Sequence, residues 1–124
     1  VLVELKPLTE STRHSVGEEL LRLLPEGGCF VNLGRGPVVD EEALIRVGQS
    51  RDIQIALDVY ETEPLPLESP LRTMENVMLL PHMGGATRDR GLYCGGLAVE
   101  NIRRFLQNEP LENEVTREQF LRST

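Results

Sequence analysis

Four short apolar runs punctuate the chain: VLVEL at residues 1–5, CFVNL at 29–33, IQIAL at 53–57 and VMLL at 77–80. Apolar runs of this length, bounded by Gly, Pro and polar turn residues, read as strands buried in a sheet. The segments between them have helical character. Gly17 is placed to cap a short helix over EELLRLL, whose leucines at 20, 21, 23 and 24 form one apolar face before Pro25 and the Gly27-Gly28 pair end it. Asp40 is an N-cap for a helix over 41–48. The Pro-rich stretch ETEPLPLESPL cannot continue a ladder and is expected to be an ordered loop. A long helix is predicted from about residue 88 to 107, with Leu92, Val99, Ile102, Phe105 and Leu106 on a buried side and Pro110 beyond its end. Thr116 with Gln119 has the spacing of a capping box.

Strand and helix alternate, and the strands are continuously apolar rather than alternating. That combination predicts an α/β architecture with a parallel sheet covered by helices on both faces. The chain's 124 residues suffice for one modest core. Its 40% apolar and 27% charged residues are those of a soluble globular protein. A net charge of −7 argues against binding nucleic acid or an anionic membrane surface. No apolar run nears the roughly 20 residues a spanning helix needs. Cys29 and Cys94 lack metal-ligand spacing, and two free thiols fit a reducing cytoplasm. The chain opens at Val1 inside a strand-like run, so it is expected to be a piece of a longer protein.

Chemistry gathers at the strand ends. Arg35 follows the second run, Asp58 ends the third and His82 follows the fourth. In a parallel sheet these positions share one edge, outside which ligands bind. An arginine between Gly34 and Gly36 has room to grip a carboxylate through two parallel hydrogen bonds. A histidine there can act as general acid or base, oriented by a carboxylate from the ETEP loop, either Glu63 or Glu61. Each also has an ordinary reading: Arg35 in a surface ion pair, His82 solvated, Asp58 capping a loop. Gly34 to Val39 mimics a dinucleotide fingerprint, with Asp58 22 residues beyond Gly36. Val39 stands where a small residue is needed, however, and Pro37 removes an amide, so this stretch is not read as a phosphate cradle.

The runs LKPLTESTRHSV, GGCFVNLGRGPVVDEEAL, IALDVYETEPLP and NVMLLPHMGGAT, in that order, resemble the D-isomer-specific 2-hydroxyacid dehydrogenase family over residues 1–110. The resemblance implies a Rossmann-like fold. Residues 1–88 would be the second half of the NAD(P)-binding domain, and 89–124 a helix and tail returning towards a substrate domain. It implies interconversion of 2-keto acids and (R)-2-hydroxy acids with NAD or NADP, generally in homodimers. Within the family, the tail ENIRRFLQNEPLENEV is similar to glyoxylate/hydroxypyruvate reductases and phosphoglycerate dehydrogenases.

By motif, the Arg of N-x-x-R-G is Arg35, which would clamp the substrate carboxylate. Glu63 of D-V-x-x-x-E-P and His82 of P-H-x-G-G would be the acid–base pair. Pro7, Thr12, Leu33, Asp58, Gly84 and Gly85 would line the cofactor. Two positions depart from the family pattern: Leu5 stands where His is usual, and Gly34 where Ser or Ala is commoner. The glycine fingerprint would lie upstream of Val1, so the isolated chain is expected to be inactive and to bind NAD weakly or not at all. The alternatives are a corepressor-like protein that uses NAD-linked dimerisation, and a non-catalytic fragment.

Overall fold

A computed structural model describes residues 1–85 and 87–122, excepting the side chains of Arg88 and Asp89. The strands are β1 (Leu2–Glu4), β2 (Gly28–Asn32), β3 (Ile53–Leu57) and β4 (Val77–Leu79). The helices are α1 (Glu18–Leu21), α2 (Glu41–Ser50), α3 (Arg88–Leu106) and α4 (Arg117–Leu121), with 3-10 turns at Gly36–Val38 and Pro70–Arg72. The strands form one parallel sheet in the order β1-β2-β3-β4, leaving β1 and β4 at its edges. This is the parallel α/β sheet the pattern predicts and the Rossmann-like fold the resemblance implies. Among the described residues, no helix is long and apolar enough to cross a membrane.

Register decides which side chains share a face. Leu2, Phe30, Ile55 and Val77 lie side by side, as do Glu4, Asn32, Leu57 and Leu79. These two rows point the same way. Phe30, Ile55 and Leu57 enter one core with Leu21 and Leu24 from the α1 segment and Leu44 and Val47 of α2. Each such side chain contributes about 1.5–3 kcal/mol when fully buried. Gly48 lets α2 lie close on the sheet, because a Cβ there would meet Ile55 Cδ1 at 2.7 Å. The row on the opposite face, Val3, Val31, Ala56 and Met78, is only partly covered, and Met78 is 62% exposed.

Local signals explain the element ends. Asp40 accepts the Ala43 amide at 2.9 Å, and Glu41 and Glu42 complement the positive end of α2. The capping box on α4 is complete, with Thr116 and Gln119 each accepting the other's amide. Two expectations fail. The first helix stops at Leu21, and the amides of Leu23 and Leu24 reach back only three residues, to Leu20 and Leu21. That tighter turn swings Leu23 out to 77% exposure instead of onto the apolar face.

Helix α3 also departs from its expected packing. Leu92, Val99, Ile102, Phe105 and Leu106 are between 61% and 74% exposed. Its last turns are held by ions: Glu100 pairs with Arg103 and Arg104, and Arg104 reaches Glu112 in the following tail. Hydrogen bonds from Arg103 and then Arg104 draw the Glu100 carboxyl down to about 2. Residues 123–124 of the predicted tail lie outside the described residues.

Candidate active site

The loop after β2 is shaped by a buried asparagine. Asn32, 1% exposed, accepts the Gly34 amide at 3.1 Å, and its own amide group reaches the Arg35 carbonyl at 3.5 Å. Gly34 sits against the exit of β1, where a Cβ would lie 3.0–3.1 Å from Leu5 and Lys6 backbone atoms. Gly36 is pressed far closer to the loop after β3: a Cβ there would fall 1.7 Å from the Tyr60 carbonyl oxygen. Arg35 is therefore held between the ends of β1 and β3. Its side chain is half-buried and donates to the Gly34 carbonyl at 2.9 Å.

The loops after β3 and β4 are tied together by carboxylates. Asp58, 1% exposed, accepts the amides of Met83 and Gly84, each at 2.7 Å. Glu63 Oε2 lies 2.6 Å from His82 Nδ1, while Oε1 accepts the Tyr60 amide at 3.1 Å. Burial pushes the Glu63 carboxyl up. The hydrogen bonds from His82 and the Tyr60 amide outweigh that and leave it below its ordinary value. An ionised carboxylate only accepts, so His82 Nδ1 carries the proton and Nε2 is the atom left for exchange. His82 itself has a left-handed backbone, φ 50°. A non-glycine residue pays about 1–2 kcal/mol for that conformation, and the Asp58 and Glu63 bonds on either side oppose it.

The choice between Glu61 and Glu63 is resolved by a second imidazole. Glu61 Oε1 lies 2.8 Å from His14 Nε2, and its amide donates to Glu41. The fingerprint mimic is likewise resolved. Gly36–Val38 is a 3-10 turn, Gly36 and Val38 are buried, and the amides of Val38 and Val39 bond to Arg35 and Gly36 carbonyls. The Val38 and Val39 amides are thus spent within the turn.

The remaining predicted positions lie along the same carboxyl edge. Leu33, directly after β2, is 41% exposed, and Gly84 lies beside it, with its missing Cβ 3.7 Å from Leu33 Cδ2 and 2.8 Å from Asp58 Oδ2. Gly85 is exposed. Pro7 and Thr12 shape the loop after β1, where the Thr12 hydroxyl donates to the Pro7 carbonyl at 2.8 Å. A cavity of about 580 Å³ opens on the β4 side of the Glu63–His82 pair, bordered by Tyr60, Leu65 and Leu80.

Residues 1–84 match the family described as D-isomer specific 2-hydroxyacid dehydrogenase, NAD binding domain. The chain belongs to this family.

Among its relatives, the glyoxylate/hydroxypyruvate reductase B of Cronobacter sakazakii is 46% identical over 108 residues, which is 86% of this chain and 33% of the reductase. The chain thus spans about a third of the length of the reductases it matches. A D-isomer specific 2-hydroxyacid dehydrogenase from Xanthobacter autotrophicus Py2, solved with NADPH and MES, is 45% identical with a TM-score of 0.79, over 92% of this chain and 47% of that one. A family protein from Klebsiella pneumoniae 342 is 32% identical with a TM-score of 0.84, over 94% of this chain and 37% of that one. This is therefore the sequence and fold of a 2-hydroxyacid dehydrogenase NAD-binding domain.

Sequence reasoning missed three contributors in this dehydrogenase domain. Asn32 was visible only as the first residue of N-x-x-R-G. Tyr60 was visible only inside D-V-x-x-x-E-P, although its amide holds Glu63 and its hydroxyl bridges Leu57 and Leu80. His14 gave no signal beyond its place in LKPLTESTRHSV, because its partner Glu61 lies 47 residues away.

Proposed function

We propose that the complete protein is an NAD(P)-dependent oxidoreductase that interconverts a 2-keto acid and an (R)-2-hydroxy acid, working as a cytoplasmic homodimer. The observation that carries this reading is the 2.6 Å contact between Glu63 and His82, at the same sheet edge as Arg35. Residues 1–88 form the second half of the cofactor domain, and 89–124 lead back to a substrate domain.

The proposed mechanism uses each side chain for what its chemistry allows. The Arg35 guanidinium grips the substrate carboxylate and polarises the adjacent keto group. Glu63 holds the Nδ1 proton of His82, which aims Nε2 at the keto oxygen. The bound nicotinamide supplies the hydride. As the keto carbon is reduced, His82 Nε2 gives its proton to the oxygen, and in the reverse direction it takes the proton back. Leu33, Asp58, Gly84 and Gly85 would hold the nicotinamide end of the cofactor, and Pro7 and Thr12 its adenosine and phosphate side.

The test is reduction of a panel of small 2-keto acids by the complete protein, followed by the loss of nicotinamide absorbance with NADH and with NADPH. Turnover that disappears in His82→Gln and Arg35→Gln supports the reading; absence of turnover on every keto acid with either cofactor refutes it. The 124-residue chain alone is expected to lack activity and to bind NADH weakly or not at all, and micromolar binding by calorimetry would contradict that.

A further inference from the structure

The geometry points to Tyr60 as a positioning residue for His82, an inference that rests on the acid–base role proposed above. Tyr60 bonds Glu63 directly and holds the end of the strand that leads into His82. Its backbone amide donates to Glu63 Oε1 at 3.1 Å, and its hydroxyl donates to the Leu80 carbonyl at 2.6 Å, with the Leu57 carbonyl 3.2 Å away. Leu80 leads β4 into Pro81 and His82, and its own amide already bonds the Leu57 carbonyl at 2.8 Å. The phenol thus closes a ring across the ends of β3 and β4, one residue before the proline that enters the strained His82.

Position and chemistry make the hydroxyl's part separable from packing. Pro81 has no amide, so it offers no donor with which to anchor the approach to His82. On the far side the anchor is Asp58, through Met83 and Gly84; on the near side it is the Tyr60 hydroxyl. Tyr60 is 8% exposed and belongs to the apolar core, so its ring is fixed by Leu65, Leu71 and their neighbours. Burial raises the phenol, which therefore stays protonated and donating through the neutral range. Phenylalanine would keep the ring in the core and the amide bond to Glu63, and would remove only the tie to Leu80.

The experiment compares Tyr60→Phe with the parent and with His82→Gln, all in the complete enzyme, using a 2-keto acid that the parent turns over. In Tyr60→Phe, kcat is expected to fall about tenfold, the scale of one neutral hydrogen bond felt in the transition state. The KM for the reduced nicotinamide stays at the parental value, and the thermal midpoint falls only by the few degrees that one lost hydrogen bond costs. A kcat equal to the parent's, or a loss matched by weaker cofactor binding, overturns the positioning role while leaving the acid–base reading intact. Full turnover in His82→Gln would overturn the acid–base reading itself, and this inference with it.

Discussion

Glu63 meets His82 at 2.6 Å with its other oxygen engaged by the Tyr60 amide, so one carboxylate oxygen is committed to the loop after β4 and the other to its own loop. These bonds favour the ionised form more than burial disfavours it, and the carboxyl titrates below its ordinary value of 4.5. The unfolded chain then binds the proton more readily than the folded one. The stability this group adds is fully present above about pH 4.5 and is lost as pH falls through the lower folded value. Urea midpoints of the chain and of its Glu63→Gln variant, measured across this range, should differ by a constant amount above pH 5 or so and converge at lower pH. A gap that persists into strong acid would mean the carboxylate charge is not what holds the loop.

Asp58 has a comparable duty with less tolerance. Its buried carboxylate accepts two amides at 2.7 Å, from Met83 and Gly84. Asparagine offers one acceptor and turns an amide group towards the second N–H. Asp58→Asn is therefore expected to lose about 1.5–3 kcal/mol, the scale of a hydrogen bond to a charged group. Equilibrium denaturation measures the loss. Faster amide exchange confined to residues near Met83 and Gly84 would locate it.

Strand positions were legible because a buried parallel strand needs an apolar run whatever surrounds it; Ile53–Leu57 was read with the bounds the fold has. Arg35, Asp58 and His82 were legible for a related reason, since each terminates such a run and parallel strands bring their carboxyl ends together. Choosing between Glu61 and Glu63 was not possible from spacing. That choice depends on His14, which arrives from a distant loop. Helical period showed that α3 has an apolar side, but period cannot say what covers it. Leu23 misled for another reason: the helix it belonged to tightened before its third leucine came round.

Two glycines in the Arg35 loop should respond very differently to the same added methyl. At Gly36 a Cβ would lie 1.7 Å from the Tyr60 oxygen and 2.0 Å from its carbonyl carbon, so one loop must be displaced. Gly36→Ala is expected to cost more than about 3 kcal/mol, the upper range of overpacking, and to displace the loop that carries Arg35. At Gly34 the nearest atoms are 3.0–3.1 Å away and need give only a few tenths of an ångström. Gly34→Ala is expected to cost under about 1 kcal/mol, consistent with the Ala or Ser that the family pattern favours there. Denaturation of the two variants side by side checks the ranking, and equal losses would mean the close approach at Gly36 is not a constraint.

The exposed side of α3 makes a prediction about context. Ile102 and Phe105 are 61% and 72% exposed. A charge placed there costs little while the face meets water and several kcal/mol once the face is buried, because an unpaired buried charge is strongly disfavoured. Ile102→Glu and Phe105→Glu should therefore change the stability of the 124-residue chain by no more than about 0.5 kcal/mol. If α3 leads back to a substrate domain, the same substitutions should lower the thermal midpoint of the complete protein sharply. Scanning calorimetry on both lengths reads the contrast. Equal, small effects in the two would mean that α3 keeps its apolar side in solvent even in the whole molecule, and that residues 89–124 do not form the proposed return to a second domain.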